Sequence, residues 1–520
     1  MLTFQNHFTK HLPADKEADN FRRQVFDAAY SYVDPLKPGK AAMLHFSEEM
    51  ATELRLSKAD MQSEEMLGIL SGGAIGKNSR PYAMAYGGHQ FGHWAGQLGD
   101  GRAINLGEVK GLHDTWTLQL KGAGPTPYSR SADGLAVLRS SIREHLCSEA
   151  MYHLGVPTTR SLSLALTGDQ VLRDVMYDGH PAYEKGAVVC RVAPSFIRFG
   201  NFQLLSARRD HELLKQLTDY TIDQFFDIQS KGKDSYLEFL EQVMHATLEM
   251  VVHWQRVGFV HGVMNTDNMS IHGLTIDYGP YGWLEDFDPE WTPNTTDRQN
   301  KRYRYGNQPY IALWNVVQLA NALYSFIDEA KPLEDILHTF NPKFADRYMR
   351  MMHDKLGIEK VDEESIRLVN EVERILTLVE TDMTLFFRYL GDVDVQSNSP
   401  DSIFDAIRPA FYSIDAVNEG IKDQWIQFIA NYRKRIQEGG VSFEERRKKM
   451  HQVNPKYVLR NYMAQLAIDK ADEGDYQLID ELYTVLKRPY DEQPEFEKWF
   501  AKRPDWARHK IGCSMLSCSS

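Results

Sequence analysis

The spacing of apolar residues changes near residue 205, and this change constrains the fold more than any other feature. Before it, from about residue 81, glycines separate short segments with period-two alternation, such as WTLQLK at residues 116–121. After it, apolar residues recur three and four positions apart, for example at Leu237, Leu240 and Met244. Alternation is typical of half-buried strands, and the wider spacing is typical of amphipathic helices. The sequence therefore predicts an α+β protein with a strand-rich part followed by a helical part.

One strong helical pattern interrupts the strand-rich part, with Leu138, Ile142 and Leu146 on one stripe and Gly155 placed to end it. Another helix is expected late in the chain, with Pro455 in its first turn. The last twenty residues are expected to form a mobile tail. We predict four regions: an N-terminal extension of short helices and loops at 1–80, a strand-rich lobe at 81–204, a helical lobe at 205–490 and a tail at 491–520.

Composition excludes several classes of function. A net charge of −13 argues against a broad nucleic-acid surface, because phosphate backbones require clustered Lys and Arg. No segment approaches the roughly 18 consecutive apolar residues of a membrane span. The first twenty residues lack an apolar signal core and contain acidic residues, so a cytoplasmic location is expected. We expect a monomer that binds neither nucleic acid nor a membrane.

The four cysteines show no spacing typical of a metal site. Cys147 and Cys190 lie in apolar stretches, which predicts that both are buried. Cys513 and Cys518 lie near the C-terminus, in GCSMLSCSS.

Two short motifs have a spacing that is typical of kinase-type phosphotransfer enzymes. HGVMNTDN ends at Asn268, and IDYG follows with Asp277, so an amide and an acid are in register for a Mg²⁺ ion bound to nucleotide phosphates. Val263 stands where the kinase motif has its catalytic aspartate, whereas Asp267 lies beside Asn268 as a candidate general base. Asn, Asp and Gly are also common turn formers, so an ordinary turn with a solvated acid remains an alternative.

A lysine and a helical glutamate would complete such a site. Lys121 lies on the polar side of its strand, and Glu144 flanks the stripe of the following helix, with Glu149 as a fallback. In kinase-like lobes a strand lysine holds phosphates and an acid on the adjacent helix orients it. Exposed strand lysines and helix glutamates are common, so either residue alone fits a structural role equally well.

Two further stretches fit phosphate binding. In GQLGDGRAINLGE, Gly96, Gly99 and Gly101 precede the lysine strand and would let backbone N–H groups approach phosphate oxygens, although Asp-Gly is equally a hairpin turn. Arg191 and Arg198 lie within an otherwise apolar run, where a guanidinium requires a partner. That partner is either phosphate or a structural carboxylate.

Long blocks of the sequence resemble one known family. They are YGGHQFGHWAGQLGDGRA, LQLKGAGPTPYSRSADG, VLRSSIREHLCSEAM, GVPTTRSL, CRVAPSFIRFGNFQ, HGVMNTDNMSI, GLTIDYGPYG and NPKYVLRNYMAQ. Together they resemble the selenoprotein O (SelO) family of protein adenylyltransferases, which have a pseudokinase fold. The resemblance spans almost the whole chain and implies a kinase-like arrangement of two lobes with helical extensions at both ends.

The resemblance implies transfer of AMP from ATP, or UMP from UTP, to Ser, Thr or Tyr hydroxyls of proteins with Mg²⁺ or Mn²⁺. The nucleotide would lie inverted relative to a kinase, so that Val263 at the usual aspartate position would not prevent activity. The residues carried over are Gly99, Gly101, Arg102, Lys121, Asp133, Gly134, Arg191 and Arg198 for the nucleotide, Glu144 as partner of the lysine, Asp267 as proton acceptor, and Asn268 and Asp277 for the metal, with Asp277 also contacting ATP.

The chain departs from the family pattern in two places. Leu135 follows Gly134 where relatives often have a basic residue. Some bacterial relatives link a tail cysteine to one in the activation segment, but residues 286–309 contain no cysteine here, so only a local pairing of Cys513 with Cys518 remains. Two alternatives to nucleotidyl transfer stay open from the residues alone, a phosphoryl-transferring kinase and an inactive nucleotide-binding scaffold.

Overall fold

The computed structural model describes residues 2–175 and 179–517. The strands in this part of the chain are β1 (Phe4–Gln5), β2 (Tyr30–Tyr32), β3 (Ala42–Phe46), β4 (Tyr82–Met84), β5 (Gly87–Gln90), β6 (His93–Gln97), β7 (Ala103–Lys110), β8 (Thr115–Lys121), β9 (Arg160–Arg173), β10 (Ala182–Ala193), β11 (Phe259–Val260) and β12 (Gly282–Trp283). The α+β class is therefore confirmed, with the long strands ahead of residue 205 and the long helices after it.

The helices of the same part of the chain are α1 (His7–His11), α2 (Glu48–Glu53), α3 (Lys58–Met61), α4 (Glu64–Ser71), α5 (Leu138–His153), α6 (Phe199–Arg208), α7 (His211–Phe225), α8 (Lys233–Val257), α9 (Gln308–Ile327), α10 (Ala330–His338), α11 (Phe340–Leu356), α12 (Glu363–Leu376), α13 (Met383–Asp392), α14 (Pro400–Ile407), α15 (Glu419–Gly439), α16 (Phe443–Val453), α17 (Asn461–Asp472) and α18 (Gln477–Leu486). Helix α5 matches the predicted stripe, and Gly155 follows its end with φ of +70°.

Within the described residues, eight strands form one antiparallel sheet in the order β2-β4-β7-β8-β10-β9-β3, with β1 paired to β7. The first 80 residues supply β1, β2 and β3, so the prediction that they form only helices and loops is wrong. Strands of two to five residues contain too little alternation to be recognised in a sequence.

The two faces of strand β8 have different surroundings, as its alternation predicts. Leu118 and Leu120 belong to an apolar cluster that includes Met66 and Leu70 of α4. Lys121 extends to the opposite side, where α5 packs against β9 and β10. The sheet is covered on both faces, so Lys121 is buried in a polar site and not exposed to solvent.

The helical part begins with α6 and α7 and is centred on α8 and α9, which pack against each other. Helix α8 ends at Val257, and Gly258 adopts a left-handed φ of +74° that turns the chain directly into β11. The first motif follows at His261. One stretch, Tyr305–Ile327, is long and apolar enough to pass a length-and-composition test for a membrane span, but half of the tested window is buried, as in a core helix.

Two predictions about the C-terminal region are wrong. Pro455 does not begin a helix, because the segment after it is pinned to Pro489 by two backbone hydrogen bonds and α17 begins only at Asn461. The C-terminal segment up to Ser517 does not form a mobile tail. Leu516 is fully buried, and its carbonyl accepts a hydrogen bond from the Thr295 amide (2.8 Å). Such long-range pairing leaves no local sequence signal.

The prediction that Cys147 and Cys190 are buried is confirmed. Cys147 and Cys190 are buried and unpaired, and burial raises the pKa of both thiols. Cys513 is also buried and free, with its pKa raised by burial to about 11. The suggested pairing of Cys513 with Cys518 lies outside the described residues.

Candidate active site

A cleft of about 650 Å³ lies between the sheet and the loop after β11. Its walls come from the glycine-rich loop after β6, the loop that precedes α5, the ends of β8 and β10, and both predicted motifs. Most of the predicted site residues line it: Gly99, Gly101, Arg102, Lys121, Asp133, Arg191, Arg198, Asp267, Asn268 and Asp277. Gly134 and Glu144 do not line the cleft. Gly134 follows Asp133 in the chain, and Glu144 pairs with Lys121.

Three cationic side chains converge on Asp277. Arg191 Nη1 donates to its Oδ1 (2.5 Å), Arg198 Nη1 donates to its Oδ2, and Lys121 Nζ lies 3.9 Å from Oδ1. Burial alone would raise the pKa of Asp277, but the charges of Arg198, Arg191 and Lys121 lower it well below its ordinary value. Asp277 has a left-handed φ of 60°, which is uncommon for a residue other than glycine and is typical of sites under functional constraint.

The lysine and glutamate meet as predicted. Lys121 Nζ lies 2.5 Å from Glu144 Oε2, and Glu144 Oε1 accepts from Arg191 Nη1 at 3.2 Å. Burial lowers the pKa of Lys121, whereas the neighbouring charges of Glu144 and Asp277 raise it. The position of α5 thus fixes the lysine through Glu144.

The fallback acid Glu149 is excluded from this role. Its carboxylate accepts hydrogen bonds from Arg160 Nε (2.8 Å) and Nη2 (2.7 Å), from the hydroxyl of Ser47 (2.8 Å) and from the amide of Ser161 (3.0 Å). Burial would raise the pKa of Glu149, but its bonds with Arg160 lower it overall. Glu149 therefore has a structural role, towards the other end of α5.

The glycine-rich loop reaches the cleft because it has no side chains at two positions. Gly99 has φ of +82°, and a Cβ there would lie 2.4 Å from the ring of Tyr128. A Cβ on Gly101 would lie 2.9 Å from the Tyr128 carbonyl. The adjacent Arg102 lines the same wall, whereas Gly96 belongs to β6 and lies outside the cleft.

Asp133 and Gly134 form the turn at the cleft edge. Gly134 has φ of +77°, and a Cβ would meet the Gly124 backbone at 2.3 Å. Arg173 pairs with both oxygens of Asp133 (2.7 and 2.8 Å) and also lines the cleft. Arg173 was not predicted, because it lies at the far end of β9, and it brings a guanidinium beside this turn, where it also donates to the Leu135 carbonyl.

The candidate base lies in a short 3₁₀ turn, Thr266–Asn268. Arg198 Nη1 donates to the carbonyl of Asp267 (2.8 Å), and the Gln90 side-chain amide donates to Asp267 Oδ2 (3.3 Å). Burial raises the pKa of Asp267 to about 6. His261 joins the two motifs, because its Nε2 lies 2.8 Å from the carbonyl of Ile276.

The residues present fit a divalent cation of the hard type. Asn268 Nδ2 donates to the Val263 carbonyl (2.9 Å), which leaves its carboxamide oxygen available to a metal ion. Together with the Asp277 carboxylate this is the all-oxygen donor set that Mg²⁺ and Mn²⁺ prefer. A second group of donors, Glu49, Glu149 and His153, is less suitable because Arg160 binds Glu149 and Lys487 binds Glu49.

The sequence interpretation missed the hairpin formed by β5 and β6. Gln90 and Phe91 at its tip line the cleft and contact the turn that carries Asp267. The block GGHQFGHWAGQ contained the signal, because glycines flank a short alternating run and Phe-Gly stands at its centre.

Comparisons with known proteins identify the family of this chain. The family model described as protein adenylyltransferase SelO matches residues 19–487. A protein nucleotidyltransferase YdiU of Flavobacterium johnsoniae is 59% identical over 520 residues, covering 100% of this chain and 99% of the relative. Relatives with the same name from Rhodopirellula baltica and Aromatoleum aromaticum are 54% and 52% identical, each again over 100% of this chain and 99% of the relative.

These matches place the chain in the class of protein nucleotidyltransferases. It belongs to the SelO family of protein adenylyltransferases, over nearly its whole length. The predicted family and enzyme class are confirmed, and the kinase and inactive-scaffold alternatives are set aside.

Proposed function

We propose that the protein transfers AMP from ATP, or UMP from UTP, to Ser, Thr or Tyr hydroxyls of other proteins. The observation that carries this proposal is the convergence of Lys121, Arg191 and Arg198 on Asp277 in a cleft that also contains Asp267. Three clustered cationic groups suit the phosphates of a nucleotide, and a nearby carboxylate suits the removal of a proton from an acceptor.

In the proposed reaction the acceptor oxygen attacks the α-phosphorus of the nucleotide. The bond between the α-phosphorus and the oxygen that bridges to the β-phosphate breaks, pyrophosphate leaves, and the hydroxyl proton passes to Asp267. With a pKa of about 6, Asp267 is mainly ionised at neutral pH, yet it is a stronger base than an exposed aspartate. Arg191, Arg198 and Lys121 would hold the phosphates and stabilise the charge that develops on the leaving group.

Asn268 and Asp277 would hold Mg²⁺ or Mn²⁺ in this proposal. The ion supplies positive charge that neutralises the phosphates and orients them. Nothing in the donor set distinguishes the two metals, because both accept carboxylate and amide oxygens.

We also propose an inverted nucleotide and a kinase-like arrangement with a strand-rich lobe at 81–204 and a helical lobe at 205–490. The buried, apolar Val263 at the usual position of the base supports inversion, since no proton acceptor stands there. The pair of Lys121 with Glu144, on a strand and an adjacent helix, supports the lobe arrangement. The proposed flanking regions are the extension at 1–80, whose short strands join the sheet, and the segment at 491–520.

Labelled nucleotides test the proposal. We expect label from the α-phosphate of ATP or UTP to appear on a protein acceptor in the presence of Mg²⁺ or Mn²⁺, and label from the γ-phosphate to be released in pyrophosphate. Transfer of γ-label to protein would contradict the proposal, and so would the absence of α-label with both nucleotides and both metals. Acid hydrolysis and mass spectrometry of the labelled protein identify the modified hydroxyl.

A further inference from the structure

Strands β5 and β6 form a hairpin, residues 87–97, which is separate from the eight-stranded sheet of the described residues. Its two-residue turn consists of Phe91 and Gly92, with φ of 50° and 87°. Positive φ at both positions is the feature of a type I′ turn, whose twist matches that of the flanking strands. The hairpin thus closes in a defined turn, and its strand pairing has one irregularity, between Gly87 and His89.

The hairpin is attached residue by residue to the turn that carries Asp267. Three hydrogen bonds join them: His89 N to Thr266 Oγ1 (2.7 Å), Gln90 Nε2 to Asp267 Oδ2 (3.3 Å), and Phe91 N to Asn265 Oδ1 (3.2 Å). The Phe91 amide also donates to the Tyr303 hydroxyl (2.9 Å), which in turn donates to Asn265 Oδ1 (2.6 Å). Three consecutive hairpin residues, 89–91, are therefore hydrogen-bonded to three consecutive residues, 265–267.

The backbone of the hairpin lies directly against the carboxylate. A Cβ placed on Gly88 would lie 2.5 Å from Asp267 Oδ1 and 2.8 Å from Asp267 Cβ. Gly88 thus backs one carboxylate oxygen while Gln90 holds the other. Oδ1 is buried and has no hydrogen-bond partner within residues 2–175 and 179–517. The hairpin accordingly sets the plane of the carboxylate, since the two oxygens have different and fixed surroundings.

We propose that the hairpin 87–97 positions the general base: Gln90 orients the Asp267 carboxylate through Oδ2, and Gly88 provides the space in which Oδ1 lies. This inference rests on the proposed role of Asp267 in nucleotidyl transfer. Gln90 is a positioning residue in this account, because it acts on the acceptor only through Asp267. The side chains of Gln90 and Asp267 both line the cleft, so the acceptor hydroxyl approaches the base beside the hairpin tip.

The test compares Gln90→Ala and Gln90→Glu with His93→Ala, an exposed position of the same hairpin that does not line the cleft. The kcat of α-phosphate transfer and the KM for ATP are measured at one pH. For Gln90→Ala we expect kcat to fall about 10- to 100-fold, as small displacements of catalytic groups do, with the KM for ATP within about twofold of wild type. Gln90→Glu should lower kcat as well, because a carboxylate cannot donate the hydrogen bond to Asp267.

A wild-type kcat in Gln90→Ala would overturn the inference, and so would a change confined to the KM for ATP. Gly88→Ala provides a second variant, with the same loss of kcat expected, and thermal unfolding shows whether each variant is folded. His93→Ala should match wild type. Asp267→Asn separates the two proposals: if it is inactive while Gln90→Ala and Gly88→Ala behave as wild type, only the role of the hairpin is wrong. If Asp267→Asn retains full transfer, the proposed base itself is wrong.

Discussion

Helix α5 carries two buried acids whose surroundings differ sharply. Glu144 belongs to the cleft cluster, which we define as Lys121, Glu144, Arg191, Arg198 and Asp277. Glu149 belongs to the anchor cluster, which comprises Ser47, Glu149, Arg160, Ser161 and Tyr483. Each cluster contains at least one buried ion pair, so burial and pairing alone do not distinguish a reactive site from a structural one.

The clusters differ in how their charges are shared. In the cleft cluster three cations share Asp277, whose side chain remains 22% exposed. In the anchor cluster Arg160 pairs with both oxygens of Glu149, whose side chain is only 2% exposed. Shared and accessible partners can be exchanged for phosphates and a metal ion, whereas a closed bidentate pair cannot. Exchangeable pairing in an open cleft is therefore the more useful sign of function.

The largest expected effect comes from the centre of the cleft cluster. Asp277→Asn should reduce nucleotidyl transfer by about a thousandfold or more, because it removes the proposed metal ligand and the focus of three cations. Metal-dependent nucleotide binding, measured by calorimetry with and without Mg²⁺, should be lost as well. Transfer within tenfold of wild type would show that Asp277 is not a metal ligand and would remove the basis for separating the two clusters.

Matched substitutions of the two acids should give opposite results. Glu149→Gln should lower the free energy of unfolding by about 3–5 kcal/mol, because it leaves the buried Arg160 without its charged partner. Below its unfolding temperature, this variant should retain a kcat within a few fold of wild type. Glu144→Gln should instead reduce kcat with a smaller loss of stability, since Lys121 and Arg191 both keep Asp277 as a charged partner. Urea unfolding and α-label transfer on both variants provide the comparison, and equal effects on activity would contradict it.

A smaller effect concerns stability alone. The pKa of Asp267 is about 6 in the folded protein and 3.8 in an unperturbed chain, so ionisation of this group disfavours the folded state. Stability from this group is fully present below about pH 4, falls between pH 4 and 6, and stays lower above pH 6.

Asp267→Asn should therefore raise the free energy of unfolding at pH 7 by up to about 3 kcal/mol while transfer is lost. Urea unfolding at pH 4 and pH 7 checks this, and the gain should be absent at pH 4. A variant less stable than wild type at pH 7 would show that Asp267 is a stabilising group, like Glu149, and not a strained base.

Local patterns were enough to predict the elements that carry the site. The alternation at 116–121 and the stripe beginning at Leu138 predicted β8 and α5, because side-chain periodicity follows from local backbone geometry. The spacing of the two motifs likewise predicted that Asn268 and Asp277 line one cleft.

The choice between Glu144 and Glu149 depended on partners from distant parts of the chain. Both acids are buried on the same helix, and only the tertiary structure shows that Arg160 takes one and Lys121 the other. The contacts of the hairpin with residues 265–267 likewise join segments that lie far apart in sequence. Period and composition contain no information about such pairings.

The order of synthesis gives the C-terminal contacts a consequence. Tyr483 of α18 donates to Ser47 in the anchor cluster (3.0 Å), and the Leu516 carbonyl receives the amide of Thr295, close to the first motif. The side-chain amide of the neighbouring Asn294 donates a hydrogen bond to the carbonyl of Gly262 (3.0 Å). Because Tyr483 and Leu516 are synthesised after both motifs, a nascent chain that has reached only the motifs lacks these supports around the cleft.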